Sequence, residues 1–127
     1  MLRTLIAEDD SDIRETVRYL LEGANYQVDE AADGAAALKA LQAMTSPCVA
    51  LIDLTMPKMS GIDVLRALAG QPEVTACQRY ILLTARQAKL PPADAQALTT
   101  LKVKVVYKPF DIDDLLEHVR RMAETLA

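Results

Sequence analysis

Short apolar runs alternate with amphipathic stretches along the whole chain. Residues 2–7 read as a buried strand. Ile13, Val17, Leu20 and Leu21 then recur at i, i+4, i+7 and i+8, which is one face of a helix. Asp10 or Ser11 is placed to cap its start and Gly23 to end it. A weaker strand is predicted over residues 26–31. Asp33-Gly34 turns the chain into an alanine-rich helix carrying Leu38 and Leu41, which Ser46-Pro47 closes. Cys48-Val49-Ala50-Leu51-Ile52 is unbroken apolar sequence, the pattern of a central strand covered on both faces. A loop over 54–61 leads to a third helix marked by Ile62, Leu65 and Leu68. A fourth strand is predicted over 80–83. Pro91-Pro92 lies in a long loop and opens a short helix near residues 93–101. Val103, Val105, Val106 and Tyr107 form a fifth strand. Asp111 caps a last helix with Ile112, Leu115, Leu116, Val119 and Met122 on one face.

Five strand–helix units with short connections predict one α/β domain over residues 1–127, with helices on both faces of a parallel sheet. Right-handed crossovers make the doubly wound, flavodoxin-like strand order 2-1-3-4-5 the leading topology. In such sheets ligands bind beyond the carboxyl ends of the strands.

The polar residues at those ends are therefore the candidate chemistry. Strand one ends in Glu8-Asp9-Asp10, strand three in Asp53, strand four in Thr84 and strand five in Lys108. The predicted order sets strand one beside strand three and so gathers Glu8, Asp9 and Asp53. Three carboxylates in one crevice repel unless a cation or proton is shared. Carboxylates with carbonyl and water oxygens suit a hard cation, Mg²⁺ above all when phosphate is the partner. A cation, a lysine and a hydroxyl around one carboxylate suit phosphoryl chemistry with that carboxylate as nucleophile. Taken singly, each of these residues has a plainer reading as a helix cap or a solvated side chain; it is the convergence that carries the argument.

Composition changes this picture little. Hydrophobic residues make up 51% and charged residues 25% of the 127, ordinary globular usage that argues against disorder. No apolar run approaches ~18 residues, so no membrane-spanning helix is predicted. Met1-Leu2-Arg3-Thr4 does not open a signal-peptide pattern. The net charge of −4 argues against direct nucleic-acid binding. Cys48 and Cys77 form no CxxC and are expected to be buried, reduced thiols. His118, the only histidine, is expected to be a partly exposed structural residue.

Four stretches carry a resemblance: Leu5-Ile6-Ala7-Glu8-Asp9-Asp10; Ile52-Asp53 running through Met56-Pro57-Lys58-Met59-Ser60-Gly61; Leu82-Leu83-Thr84-Ala85; and Lys108-Pro109-Phe110. Together, in this order and spacing, they resemble the receiver domain of bacterial two-component response regulators over nearly the whole chain. The resemblance implies a cytoplasmic phosphoprotein that catalyses only its own phosphorylation and dephosphorylation. It implies Asp53 as phosphoacceptor, with Thr84 as switch hydroxyl and Lys108 as its partner. Mg²⁺ would be held by Asp9, Asp53 and the backbone carbonyl of Thr55, and by Glu8 through water. Asp10 would cap the first helix, and the Lys108-Pro109 bond would be cis. Implied partners are a sensor histidine kinase or phosphotransfer protein and an output domain or protein, with a phosphorylation-dependent dimer among the arrangements the family allows.

There are departures from the family pattern. The position three before the lysine, usually aromatic, is Val105, and Tyr107 lies on the same side by alternation. Leu101-Lys102 replaces the family's small Gly-Ala pair. A β-branched Val105 cannot sweep the volume of a ring, so a weaker switch is expected on the face of the fourth helix and fifth strand. Two other readings compete. A haloacid-dehalogenase-type phosphatase needs a second Asp two positions after the first, where this chain has Thr55. A binding-only relative would have lost some of the active positions, yet all are filled.

Overall fold

The computed structural model describes residues 2–85, 90 and 92–126. The expected loop at 86–89 and the first residue of Pro91-Pro92 lie outside the described residues. Five strands form one parallel sheet: β1 (Arg3–Ala7), β2 (Gln27–Ala31), β3 (Cys48–Asp53), β4 (Gln78–Ala85) and β5 (Lys104–Lys108). Their order is β2-β1-β3-β4-β5, as the alternation of strands and helices predicts. Six helices accompany them among the described residues: α1 (Ser11–Gly23), α2 (Gly34–Ala43), α3 (Gly61–Ala69), α4 (Pro72–Thr75), α5 (Pro92–Thr100) and α6 (Ile112–Glu124).

The unbroken apolar run of β3 is explained by what covers it. All six of its residues are buried. Val49 and Leu51 join Ile81 and Leu83 of β4, Val17 and Leu21 of α1, and Leu115 and Val119 of α6 in one cluster. Cys48, Ala50 and Ile52 join Tyr80 and Leu82 with Leu41 of α2 and Leu65 and Leu68 of α3 in the other. Alternate residues thus feed cores on opposite faces, and truncating a fully buried leucine such as Leu51 to alanine should cost about 3 kcal/mol.

The capping choices resolve cleanly. Asp10, not Ser11, caps α1: its Oδ1 accepts from the amides of Asp12 (2.9 Å) and Ile13 (3.2 Å). Asp33 caps α2 and Asp111 caps α6, each cap being worth about 1 kcal/mol. The Lys108-Pro109 bond is cis.

Three findings differ from expectation. The first is α4, a single turn opened by Pro72, too short for periodicity to reveal. The second is the start of β4 at Gln78 rather than residue 80. Gln78 hides its polarity inside, donating from Nε2 to the carbonyl of Leu41 (2.8 Å) and accepting from the Tyr80 hydroxyl (2.6 Å). The third is Cys77. Cys48 is buried and free, but Cys77 is exposed, because it stands between α4 and β4 before the sheet's cover begins. Among the described residues no helix is long and apolar enough to cross a membrane.

Candidate functional site

The carboxyl ends of β1 and β3 meet. Ala7 pairs with Ile52, so the next residues, Glu8 and Asp53, leave the sheet side by side. One oxygen from each of Glu8, Asp9 and Asp53 lies within 4.8 Å of the others. Glu8 and Asp53 are 1% and 5% exposed, while Asp9 faces solvent. Lys108 reaches in from β5. Its Nζ is 2.7 Å from Oδ1 of Asp53 and 3.4 Å from Oε2 of Glu8.

Charge in this crevice is poorly hydrated, which disfavours the ionised carboxyl. Burial pushes Asp53 above the usual carboxylate range. Lys108 pulls it down without prevailing, and the charge of Asp9 adds to the rise. Burial likewise raises Glu8, against the Asp10 amide and Lys108, with Asp53 reinforcing the rise. Partial burial pulls the Lys108 amine down, but its hydrogen bond and charge contact with Asp53, joined by Glu8, hold it above its ordinary value. The three carboxylates and one ammonium therefore leave excess negative charge.

The remaining predicted residues are placed as follows. Thr84 is buried next to the site, paired with Tyr107 of β5, and its hydroxyl donates to the carbonyl of Ala85 at 3.4 Å. It makes no hydrogen bond to Asp53 or Lys108. Thr55 is exposed in the β3–α3 loop. The carbonyls of Leu54 and Pro57 in that loop are taken by the amides of Gly61 (2.7 Å) and Met59 (2.8 Å), whereas that of Thr55 accepts no hydrogen bond among the described residues. Val105 is half-buried and Tyr107 is 44% exposed. His118 is half-buried in α6.

Two glycines let the loop lie this close. A Cβ on Gly61 would stand 2.3 Å from the carbonyl oxygen of Asp53, and one on Gly34 would stand 2.0 Å from that of Met59. The sequence marks Gly34 as a turn residue and Gly61 as the end of a loop, and neither pattern shows the close approach. Nor does the sequence single out Arg14 and Glu30. β2 sends no side chain into the crevice, but its Glu30 holds Arg14 (3.3 Å), whose Nη1 donates to the carbonyl of Glu8 at 2.7 Å.

The donor set is all oxygen: the carboxylates of Glu8, Asp9 and Asp53. It contains no His or Cys and fits a hard divalent cation such as Mg²⁺. Folding raises both buried carboxyls, so the folded chain holds protons that the unfolded chain has released. Metal-free stability therefore falls as pH rises from the ordinary values of 3.8 for Asp53 and 4.5 for Glu8 through their raised folded values. Glu117, held at about 2 by Arg120 and then Arg121, acts oppositely and at lower pH. In EDTA, melting temperatures should fall as pH rises above 3.8, until both carboxyls are ionised, more steeply than in an Asp53→Asn variant. Millimolar Mg²⁺ should raise the melting temperature at pH 7 by mass action. Asp9→Ala should remove most of that gain; an undiminished Mg²⁺ shift in this variant would put the cation elsewhere.

Comparison with known proteins agrees with this geometry. Residues 4–120 match the sequence pattern of the response regulator receiver domain. The chain is 34% identical over 124 residues to the response regulator receiver protein CpdR of Brucella abortus, covering 96% of this chain and 97% of CpdR. It is 38% identical over 120 residues to the transcriptional regulatory protein KdpE of Mycobacterium tuberculosis, covering 94% of this chain but 50% of KdpE. The chain thus spans about half the length of several curated relatives that it matches. Among solved structures, the response regulator TrrA of Thermotoga maritima, in complex with Mg²⁺ and BeF, superposes with a TM-score of 0.79 at 28% identity, covering 96% of this chain and 99% of that one.

Proposed function

This chain belongs to the response regulator receiver domain family, and from that premise we propose that it is a phosphoacceptor module in which Asp53 takes a phosphoryl group from a phosphohistidine of a sensor kinase or phosphotransfer protein. The observation that carries the proposal is the Lys108 ammonium set 2.7 Å from Asp53 in a crevice shared with Glu8 and Asp9. A lone buried aspartate paired with a lysine would be an ordinary ion pair. Here the excess negative charge calls for a cation, and the cation calls for a phosphate to share it.

An Oδ of Asp53 attacks phosphorus as the phosphorus–nitrogen bond breaks. The donor imidazole keeps that electron pair and regains a proton from solvent, and Asp53 becomes an acyl phosphate. Lys108 is already at Oδ1 and offsets charge on the transferred oxygens. Glu8, Asp9, Asp53 and the Thr55 carbonyl would hold Mg²⁺, which when bound neutralises charge on the phosphoryl group. Thr84, one strand over, would turn its hydroxyl from the Ala85 carbonyl toward a phosphoryl oxygen. Water then cleaves the acyl phosphate and resets the module. With Val105 in place of a ring, the inward turn of Thr84 repacks the α5–β5 face less than an aromatic would. The partner of that face is an output domain or separate protein, and we place the module in the cytoplasm.

Acetyl phosphate, a small phosphodonor, tests this reading. With Mg²⁺, intact-protein mass spectrometry should show one phosphoryl adduct per chain, and EDTA should prevent it. Steady release of inorganic phosphate with no trapped adduct would indicate a phosphatase instead, and neither adduct nor release would indicate a binding scaffold.

A further inference from the structure

The turn that carries the acidic pair is held from all sides but one. The amide of Glu8 donates to the carbonyl of Ala31 in β2 (3.0 Å). Its Oε1 accepts from the amide of Asp10 (3.1 Å), and the carbonyl of Asp10 accepts from the amide of Arg14 (2.9 Å). The remaining group is the carbonyl of Glu8, which belongs to the peptide joining Glu8 to Asp9. Arg14 Nη1 donates to it at 2.7 Å. That peptide is planar, so fixing its carbonyl fixes the direction in which Asp9 leaves the strand.

Arg14 is itself held. Its Nε lies 3.3 Å from Oε1 of Glu30, while Arg18 takes Oε2 of the same carboxylate at 2.6 Å. The Arg14 side chain is 20% exposed and that of Glu30 31%, so the pair is less screened than a surface ion pair. A guanidinium can serve both acceptors at once through its rigid fork, which an ammonium cannot.

We propose that Arg14, clamped by Glu30, is a positioning residue for the divalent cation: it sets the Glu8–Asp9 peptide so that the Asp9 carboxylate faces Asp53. The inference rests on the metal-dependent reading above. It gives a β2 side chain, Glu30, a part in the site without itself entering the acidic cluster. Charge alone argues for the reverse effect, since a guanidinium near an acidic cluster repels a divalent cation. Removing Arg14 should therefore tighten Mg²⁺ binding if only charge matters and weaken it if positioning does.

The test is titration calorimetry of Mg²⁺ into the full chain, with metal-free melting curves to confirm folding. Arg14→Ala should weaken Mg²⁺ roughly tenfold, within the range typical of groups that orient metal ligands. Glu30→Gln should weaken it by a smaller factor, and should add nothing in the Arg14→Ala background, because the clamp is already gone. Arg14→Lys keeps the charge but should still lose a few-fold. The metal-free amide shifts of Glu8 and Asp9 should move in all three single variants. Wild-type or tighter Mg²⁺ affinity in folded Arg14→Ala overturns the proposal; should that variant not fold, wild-type affinity in Arg14→Lys overturns it equally. A wild-type chain that binds no Mg²⁺ would remove the metal-dependent reading and this inference together, whereas equal binding by wild type and variants removes this inference alone.

Discussion

Asp53→Asn is expected to abolish phosphorylation while leaving the fold intact. The amide nitrogen and oxygen of Asn fill the carboxylate's volume but supply no anionic nucleophile. Stability should not suffer. Burial disfavours the Asp53 anion more than Lys108 favours it, so a neutral isostere removes a net cost. Lys108 keeps Glu8 as a partner at 3.4 Å. The metal-free variant at pH 7 should melt no lower than the wild type, and intact-mass measurement after acetyl phosphate treatment should show no adduct. An adduct at wild-type yield on the variant would place the acceptor elsewhere.

Gly61→Ala is expected to be strongly destabilising, although it adds a single methyl. The added Cβ would meet the Asp53 carbonyl oxygen at 2.3 Å and Cγ2 of Ile52 at 3.1 Å. The first obstacle is backbone of a fully buried strand and cannot rotate away. The Gly61 amide is also tied to the carbonyl of Leu54 at 2.7 Å. Relief requires moving either the start of α3 or the Asp53 peptide itself. The cost should be about 3 kcal/mol, the upper part of the range for overpacking, or a fall of roughly 10 °C in melting temperature. Gly23→Ala is the control. No atom lies within 4 Å of its added Cβ at the end of α1, so it should be neutral or stabilising by about 0.5 kcal/mol. Chemical denaturation of both variants checks the contrast; equal effects would mean that space around Gly61 is not the constraint.

The fold was legible in the sequence because each strand and major helix had a pattern of its own. β3 announced a two-sided cover by its unbroken apolar run, and Asp10, Asp33 and Asp111 marked helix starts. The strand order that this pattern implies brings Glu8, Asp9 and Asp53 together, because parallel neighbours end at one edge. What was illegible depended on long-range packing. Gln78 looks like loop sequence, and it is buried with its amide satisfied by the Tyr80 hydroxyl and by the carbonyl of Leu41, 37 residues away in sequence. Cys77 looks apolar, but its exposure depends on where α4 stops. The demand for glycine at positions 34 and 61 is set by a loop folding over two backbones. Arg14 and Glu30 carry no signature in spacing: the ion pair between them and the bond from Arg14 to the Glu8 carbonyl appear only when α1 packs beside β2. The resting direction of the Thr84 hydroxyl, toward Ala85 and not the carboxylates, is likewise a rotamer and not a pattern.

The central claim is that Asp53 becomes an acyl phosphate, and reductive trapping tests it most directly. Borohydride reduces an aspartyl phosphate to homoserine and leaves a free aspartate unchanged. After acetyl phosphate and Mg²⁺ treatment, peptide sequencing by mass spectrometry should find homoserine at position 53 and nowhere else, with none formed in EDTA. Homoserine at Asp9, Asp10 or another aspartate, with position 53 unmodified, would contradict the assignment of Asp53 as the phosphoacceptor.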